Sequence, residues 1–230
     1  MVAEASVDRT QGSELPSLPA RLLAVIVSPG RLMDRLAERP AWVGALLVAA
    51  VLVGLSIALI PAELFMEAQR EAALQRGVDV PEMAEGAARV MRFVIPAATV
   101  LFTVVLSFVF AGVYTLIFAF ILGDEGRYVQ YLAAVTHAWF IAALFGLLLT
   151  PLRIATGDPQ LTLNLASFLF FLPDGYLLNV LRALDLTQIW STLVIAQGAH
   201  AIDRRRSFTS AAAILLGVLL AIALVVGRFM

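Results

Sequence analysis

Residues Leu181–Ser207 read LRALDLTQIWSTLVIAQGAHAIDRRRS, one apolar span held between an acidic start and a basic stop. Asp185 stands where a helix begins. Gln188, three residues on, makes a capping-box-like pair with it, a carboxylate and an amide facing the amide donors that a first turn leaves free. Trp190 follows about a turn and a half inside, near the depth of an aromatic belt. Beyond His200 and Asp203, Arg204, Arg205 and Arg206 place consecutive charges where a span must stop, since each resists crossing hydrocarbon. Ser207 is positioned to cap the next helix. A segment built this way predicts a membrane-crossing helix.

Composition extends that reading to the whole chain. Of 230 residues, 61% are hydrophobic and 14% charged, with a mean hydropathy of +0.91. Soluble domains carry roughly a quarter charged residues, so an all-α polytopic membrane protein is expected, with the lipid bilayer as its first partner. A net charge of -1 excludes a globally basic nucleic-acid binder. The absence of Cys excludes disulfides, thiolate metal sites and Cys nucleophiles. No His-Glu-x-x-His, Walker or Rossmann motif occurs, and no cofactor, metal or catalytic residue is expected. Glu4, Asp8, Arg9 and Glu14 interrupt the first twenty residues, so no cleavable signal is expected and the first span serves as its own.

Met1–Pro16 reads as disordered. Residues 18–40 predict an amphipathic membrane-surface helix, with Ser28 and Pro29 as cap and first-turn proline and with Leu32, Met33 and Leu36 opposite Arg31, Asp34, Arg35 and Glu38. Five spans follow in a single membrane domain, at about 41–60, 93–122, 128–152, 185–203 and 208–226. Between the first two, Glu63, Glu67 and Glu71 and the pair Glu85 and Arg89 give helical spacing on a solvated face. GDEGR at 123–127 is a tight turn, making the second and third spans antiparallel neighbours. Residues 161–172 are too short to cross and predict an interfacial or re-entrant piece, with a short helix at 176–184 after it.

Small residues recur every fourth position inside these spans. Thr99, Thr103, Ser107 and Ala111, continued by Thr115 and Ala119, form one ridge, and Ala134, Ala138, Ala142 and Gly146 form another. Ala213, Gly217 and Ala221 form a third. Such ridges let helices approach and let hydroxyls bond across or back onto their own carbonyls; two facing ridges predict close packing without a pore. Arg counts favour a cytoplasmic N-terminus, nine on that side against seven on the other, with the C-terminus outside.

The order of features resembles the Yip family, membrane proteins named for interaction with Ypt/Rab GTPases. The resemblance is carried by SPGRLMDRLAERP before the first span, GDEGRYVQYLAAVTHAW at the second turn, and above all LRALDLTQIWSTLVIAQG followed by RRRSFTSAAA. It covers roughly Ser28 to the C-terminus, and Asp185, Leu186, Ile189 and Trp190 ahead of Gly198 are its most specific part. It implies a five-span bundle with a cytoplasmic N-terminus and, for eukaryotic relatives, vesicle trafficking through GTPase binding. The short N-terminal region and the lack of an Asp-Leu-Tyr-Gly-Pro motif make the chain look more like a bacterial member, set in the cytoplasmic membrane.

The polar residues near or within the spans are the candidate functional groups: His137, Asp185, Gln188, Trp190, Gln197 and His200. Each also has a structural reading. His137 is twice as well explained by an imidazole bonded to a carbonyl or to a neighbouring Thr, and Asp185 three times as well by a helix cap. His200 fits a local pair with Asp203, while Gln188, Ser191, Thr192 and Gln197 fit bonds between helices. Arg204, Arg205 and Arg206 form a cytoplasmic basic cluster able to meet anionic headgroups or a cytoplasmic partner. The leading expectation is a non-enzymatic membrane scaffold or organiser, with an unknown membrane or cytoplasmic partner or a homo-oligomer. The alternative is a small oligomeric transporter or channel using His137 and the Thr99–Thr115 ridge. An intramembrane hydrolase would need Ser56 within hydrogen-bond reach of His137.

Overall fold

The computed structural model describes residues 15–75, 77–78, 85–169 and 171–230, and the side-chain pairing of Glu85 with Arg89 and the N-terminus through residue 14 lie outside what it describes. Among the described residues every regular element is a helix. In chain order they are α1 (Leu18–Val27), α2 (Pro29–Glu38), α3 (Val43–Leu59), α4 (Ala62–Gln75) and α5 (Glu85–Thr115), the last continued by a π-helical turn at Leu116–Ile121. After these come α6 (Tyr128–Thr156), a 3₁₀ turn at Leu165–Phe168, α7 (Tyr176–Ala183), α8 (Leu186–Ile202) and α9 (Phe208–Val226).

Three helical stretches are long and apolar enough to cross a bilayer: Val90–Ile121, Tyr128–Thr156 and Phe208–Val226. A fourth candidate is α3 joined to α4, but the two are bent by 80° at Pro61. The helix α8 has 17 residues, about 26 Å at 1.5 Å per residue, slightly less than the ~30 Å hydrocarbon core.

The helix α6 is the hub of the bundle. Eight consecutive residues of it, Tyr131–Ala138, are buried, because α3, α5 and α8 all pack on it and α1 and α2 cover its first turns. At Gly198 the approach of α8 is so close that an added Cβ would lie 2.8 Å from the Cβ of Ala134. Glycine is what the contact requires there.

Residues 18–40 depart from the sequence expectation of one surface helix. The backbone breaks at Ser28 (φ -151°, ψ 58°), and the apolar face of α2, with Leu32, Met33 and Leu36 at 2%, 1% and 1% exposure, is turned into the protein against α8 and α6. Ser28 caps α2 by position without a side-chain bond. The apolar stripe had a protein partner that periodicity alone does not identify.

The small-residue ridges also differ from the expectation. Ala134 and Ala138 are buried, but Ala142 is exposed, and an added Cβ at Gly146 would meet nothing within 4 Å. The α6 ridge therefore packs in its first half, against α8, and lies open in its second. Thr99, Thr103, Ser107 and Thr115 donate to the carbonyls of Ile95, Thr99, Thr103 and Ala111, at 2.8, 2.8, 2.8 and 2.7 Å, and so bond back onto α5. On α9, Ala213, Gly217 and Ala221 face outward, since Ala211, Ala212, Leu215, Leu219 and Ala223 supply its buried side.

Residues 161–169 form a short connection over the end of the bundle. Leu165 donates its amide to Leu184 (3.0 Å) and Leu186 donates its own to Leu163 (2.7 Å), pinning this piece to the start of α8.

Candidate functional site

Apart from His137, which is buried inside α6, the candidate polar residues lie toward the two ends of the bundle. At the end shared by α2, the α5–α6 turn and the α8–α9 turn, the three consecutive arginines are matched by carboxylates. Arg206 makes a bidentate pair with Asp124, Nε to Oδ2 and Nη2 to Oδ1, both 2.6 Å, with the two side chains only 16% and 7% exposed. Arg205 reaches Asp203 at 2.8 Å and Glu125 at 3.3 Å, and Arg204 reaches Asp34 on α2 at 2.7 Å. Each arginine of the basic cluster thus has a carboxylate partner within the chain, while Arg204 and Arg205 stay exposed.

Asp203 is the centre of this knot. Its Oδ2 accepts the amide of Glu125 at 2.8 Å and its Oδ1 accepts the amide of Arg205 at 2.9 Å, so one carboxylate fastens both turns. Hydrogen bonds from the Arg205 side chain, then from those two amides, hold the Asp203 carboxyl well below the usual carboxylate range. The same bonds raise Arg205, and the bonds to Asp124 raise Arg206. Beneath the pair, the Arg206 guanidinium lies 5.9 Å from the Phe118 ring centre, and Phe118 stacks on Tyr131 at 6.0 Å with 5° between planes. The π turn puts Phe118 there, fully buried.

His200 belongs to the knot in a way the sequence reading had otherwise. Its Nδ1 bonds the carbonyl of Arg206 at 2.6 Å and its Nε2 meets Arg204 Nη1 at 3.1 Å, while Asp203 is engaged elsewhere. A carbonyl on Nδ1 and a guanidinium on Nε2 require the neutral tautomer carrying its proton on Nδ1. Gln130, which sequence reasoning passed over, accepts the Arg127 amide through Oε1 (2.8 Å) and donates through Nε2 to the Ala37 carbonyl (2.6 Å), tying α6 to α2.

At the other end, Asp185 caps α8, its Oδ1 accepting the amides of Thr187 (2.7 Å) and Gln188 (3.1 Å). The Gln188 side chain is exposed and makes no return bond among the described residues, so only the aspartate half of the expected capping pair is formed. Trp190, 37% exposed, has its ring 6.4 Å from Phe145. An added Cβ at Gly30 of α2 would lie 3.4 Å from Gln197 Nε2, and Ser191 donates to the Ala138 carbonyl at 3.0 Å. Ser56 bonds Thr150 (3.0 Å) and donates to the Gly146 carbonyl (3.1 Å), joining α3 to α6.

His137 is fully buried, with Nδ1 on the carbonyl of Ala133 at 2.8 Å, and its Nε2 has no partner among the described residues. Ser56 is not that partner, so no serine–histidine dyad forms. A cavity of about 530 Å³ lies beside the open half of α6 and is lined by Thr103, Ala142, Gly146, Arg153, Asp185 and Gln188 among others, not by His137. The residues expected to pack as ridges supply part of its wall.

The model of the Yip1 domain matches residues 23–228. The chain belongs to the Yip1 domain family. It is similar to "Membrane protein YknW" of Bacillus subtilis (strain 168), with 27% identity over 230 residues covering 97% of this chain and 96% of that protein. No solved structure matches. The matched region begins within α1, includes α2 and ends just past α9.

Proposed function

We propose that this Yip1-domain protein is a non-catalytic organiser of a bacterial cytoplasmic membrane, with five spans (α3, α5, α6, α8 and α9), a cytoplasmic N-terminus and an outside C-terminus. The observation that carries the reading is the ion-pair knot. It joins α2, the α5–α6 turn and the α8–α9 turn into one stiff face, the design of a platform that holds a partner. On that face the Arg31 and Arg35 side chains of α2 are exposed, giving a partner charges to read. The small outward ridge of Ala213, Gly217 and Ala221 offers a second contact within the membrane, for another protein or a second copy. The transporter alternative gains no support, since His137 lies off the cavity wall and the Thr99–Thr115 hydroxyls are spent on their own helix.

In-membrane crosslinking with mass spectrometry tests the platform, comparing the native chain with Arg31→Glu/Arg35→Glu. A stoichiometric protein partner captured by the native chain and lost from the variant is the expected result; recovery of the chain alone from both overturns it. Because the chain has no Cys, single-Cys labelling at positions 125, 158 and 205 maps topology cleanly, and labelling of 158 from the same side as the other two overturns the five-span order.

A further inference from the structure

The cavity beside α6 has a direction. Arg153, Thr162, Asp185, Thr187 and Gln188 gather at the end where α6 finishes and α8 begins, and away from that end the wall becomes apolar and aromatic, with Leu106, Phe110, Trp139 and Ile195. Trp139 and Arg153 both line it and are fourteen residues apart on α6, about 21 Å of helix. One leaflet contributes about half of the ~30 Å hydrocarbon core, so the slot runs from headgroup depth to the bilayer middle. Its volume of about 530 Å³ falls within the ~300–1,000 Å³ of small-molecule sites. α5 and α8 flank this half of α6 and leave Ala142 exposed, so the slot opens sideways, toward lipid.

Arg153 and Asp185 both line the mouth, and the Asp158 and Asp185 carboxylates are near enough to attract the Arg153 guanidinium. Arg153 donates from Nε to the Leu161 carbonyl (2.9 Å) and from Nη1 to Ser56 (3.4 Å), while its Nη2 has no partner among the described residues. Asp185 uses Oδ1 for the α8 cap, while its Oδ2 has none among the described residues. The two side chains attract each other from beyond ion-pair distance, so both keep hydrogen-bonding capacity at the mouth: donors in a planar fork suited to phosphate, and an acceptor suited to an ammonium.

We propose that this slot binds one phospholipid with a zwitterionic, amine-bearing headgroup from the leaflet at the Arg153 end. The phosphate sits on Arg153, the ammonium on Asp185, and one acyl chain lies along Ala142, Gly146 and Trp139. The site does not depend on the platform reading, because it lies at the end of the bundle opposite the knot.

Native mass spectrometry of the delipidated protein, titrated with phosphatidylethanolamine or phosphatidylglycerol, tests this directly. The expected result is a plateau at one phosphatidylethanolamine per chain, with affinity at least tenfold above that for phosphatidylglycerol. Gly146→Leu, whose side chain enters open space in the slot, weakens this binding at least tenfold while circular dichroism and melting stay native. Arg153→Gln weakens it comparably. Equal affinity for the two lipids, undiminished binding to Gly146→Leu, stepwise loading without a plateau, or displacement of the lipid by millimolar inorganic phosphate would each overturn the proposal.

Discussion

Substituting Gly198→Ala puts a methyl group where α8 meets α6. The new Cβ would lie 2.8 Å from the Cβ of Ala134 and 3.3 Å from the Met33 sulfur. Carbon pairs settle at ~3.5–4.0 Å, so the two helices must separate or rotate by roughly 1 Å. The Met33 side chain gives way cheaply because it is unbranched and flexible; the Ala134 methyl is fixed to a buried backbone and does not. Overpacking of this kind costs about 1–3 kcal/mol, while Gly→Ala inside a helix returns about 1 kcal/mol. The single variant should therefore be destabilised by about 0–2 kcal/mol, a range too near zero to decide the matter alone.

A double-mutant cycle decides it. Combining Gly198→Ala with Ala134→Gly moves the methyl group to the other helix and removes the clash, while the two propensity changes cancel. The coupling between the sites should recover about 1–3 kcal/mol, read from reversible unfolding in mixed micelles followed by circular dichroism. If Gly198→Ala alone stabilises by the full propensity gain and the cycle shows no coupling, α8 does not approach α6 at Gly198 as described and the reasoning is refuted.

Removing single members of the knot should grade with burial. Arg206→Ala strands Asp124, 7% exposed, and should cost about 3 kcal/mol, the low end for a broken buried pair, whereas Arg204→Ala, from a pair 59% and 42% exposed, should cost less than about 1 kcal/mol; thermal unfolding in detergent separates them. The depressed Asp203 carboxyl contributes stability that is present above its unfolded pKa of about 3.9 and is lost as pH falls through its lower folded value. Acid titration of the unfolding midpoint should thus show a decline below about pH 4 that is shallower in Asp203→Asn. Ser56→Ala removes the Thr150 and Gly146 bonds and should cost about 0.6–1.5 kcal/mol, in keeping with interhelical hydrogen bonds in membranes; a neutral result in the same assay would show that the α3–α6 bonds contribute nothing.

The chain's own residues settled its class and several of its helix boundaries. Helix α9 spans Phe208–Val226, as the apolar run between Ser207 and Gly227 requires, and Asp185 caps α8 because a carboxylate before an apolar helical run has unbonded amides within reach. The knot was half legible. GDEGR and DRRRS lie at the same end in the five-span order expected from the sequence, and their opposite charges were the signal that could have paired them. Nothing in the sequence identified Asp34 or Gln130 as further ties, because both depend on α2 folding back onto the bundle.

Tertiary structure alone decided how each apolar surface was used. A stripe on α2 and a small-residue ridge on α6 look the same in sequence whether they meet lipid, a helix or a cavity, since apolar surface carries no address of its own. Packing sent Leu32, Met33 and Leu36 inward against α8, and it closed α6 at Ala134 while leaving it open at Gly146. Local chemistry, caps, charges and apolar length, acts over a few residues and is written in order along the chain. The choice of neighbour acts across 60 residues or more, as between Ala134 and Gly198, and exists only once the chain has folded.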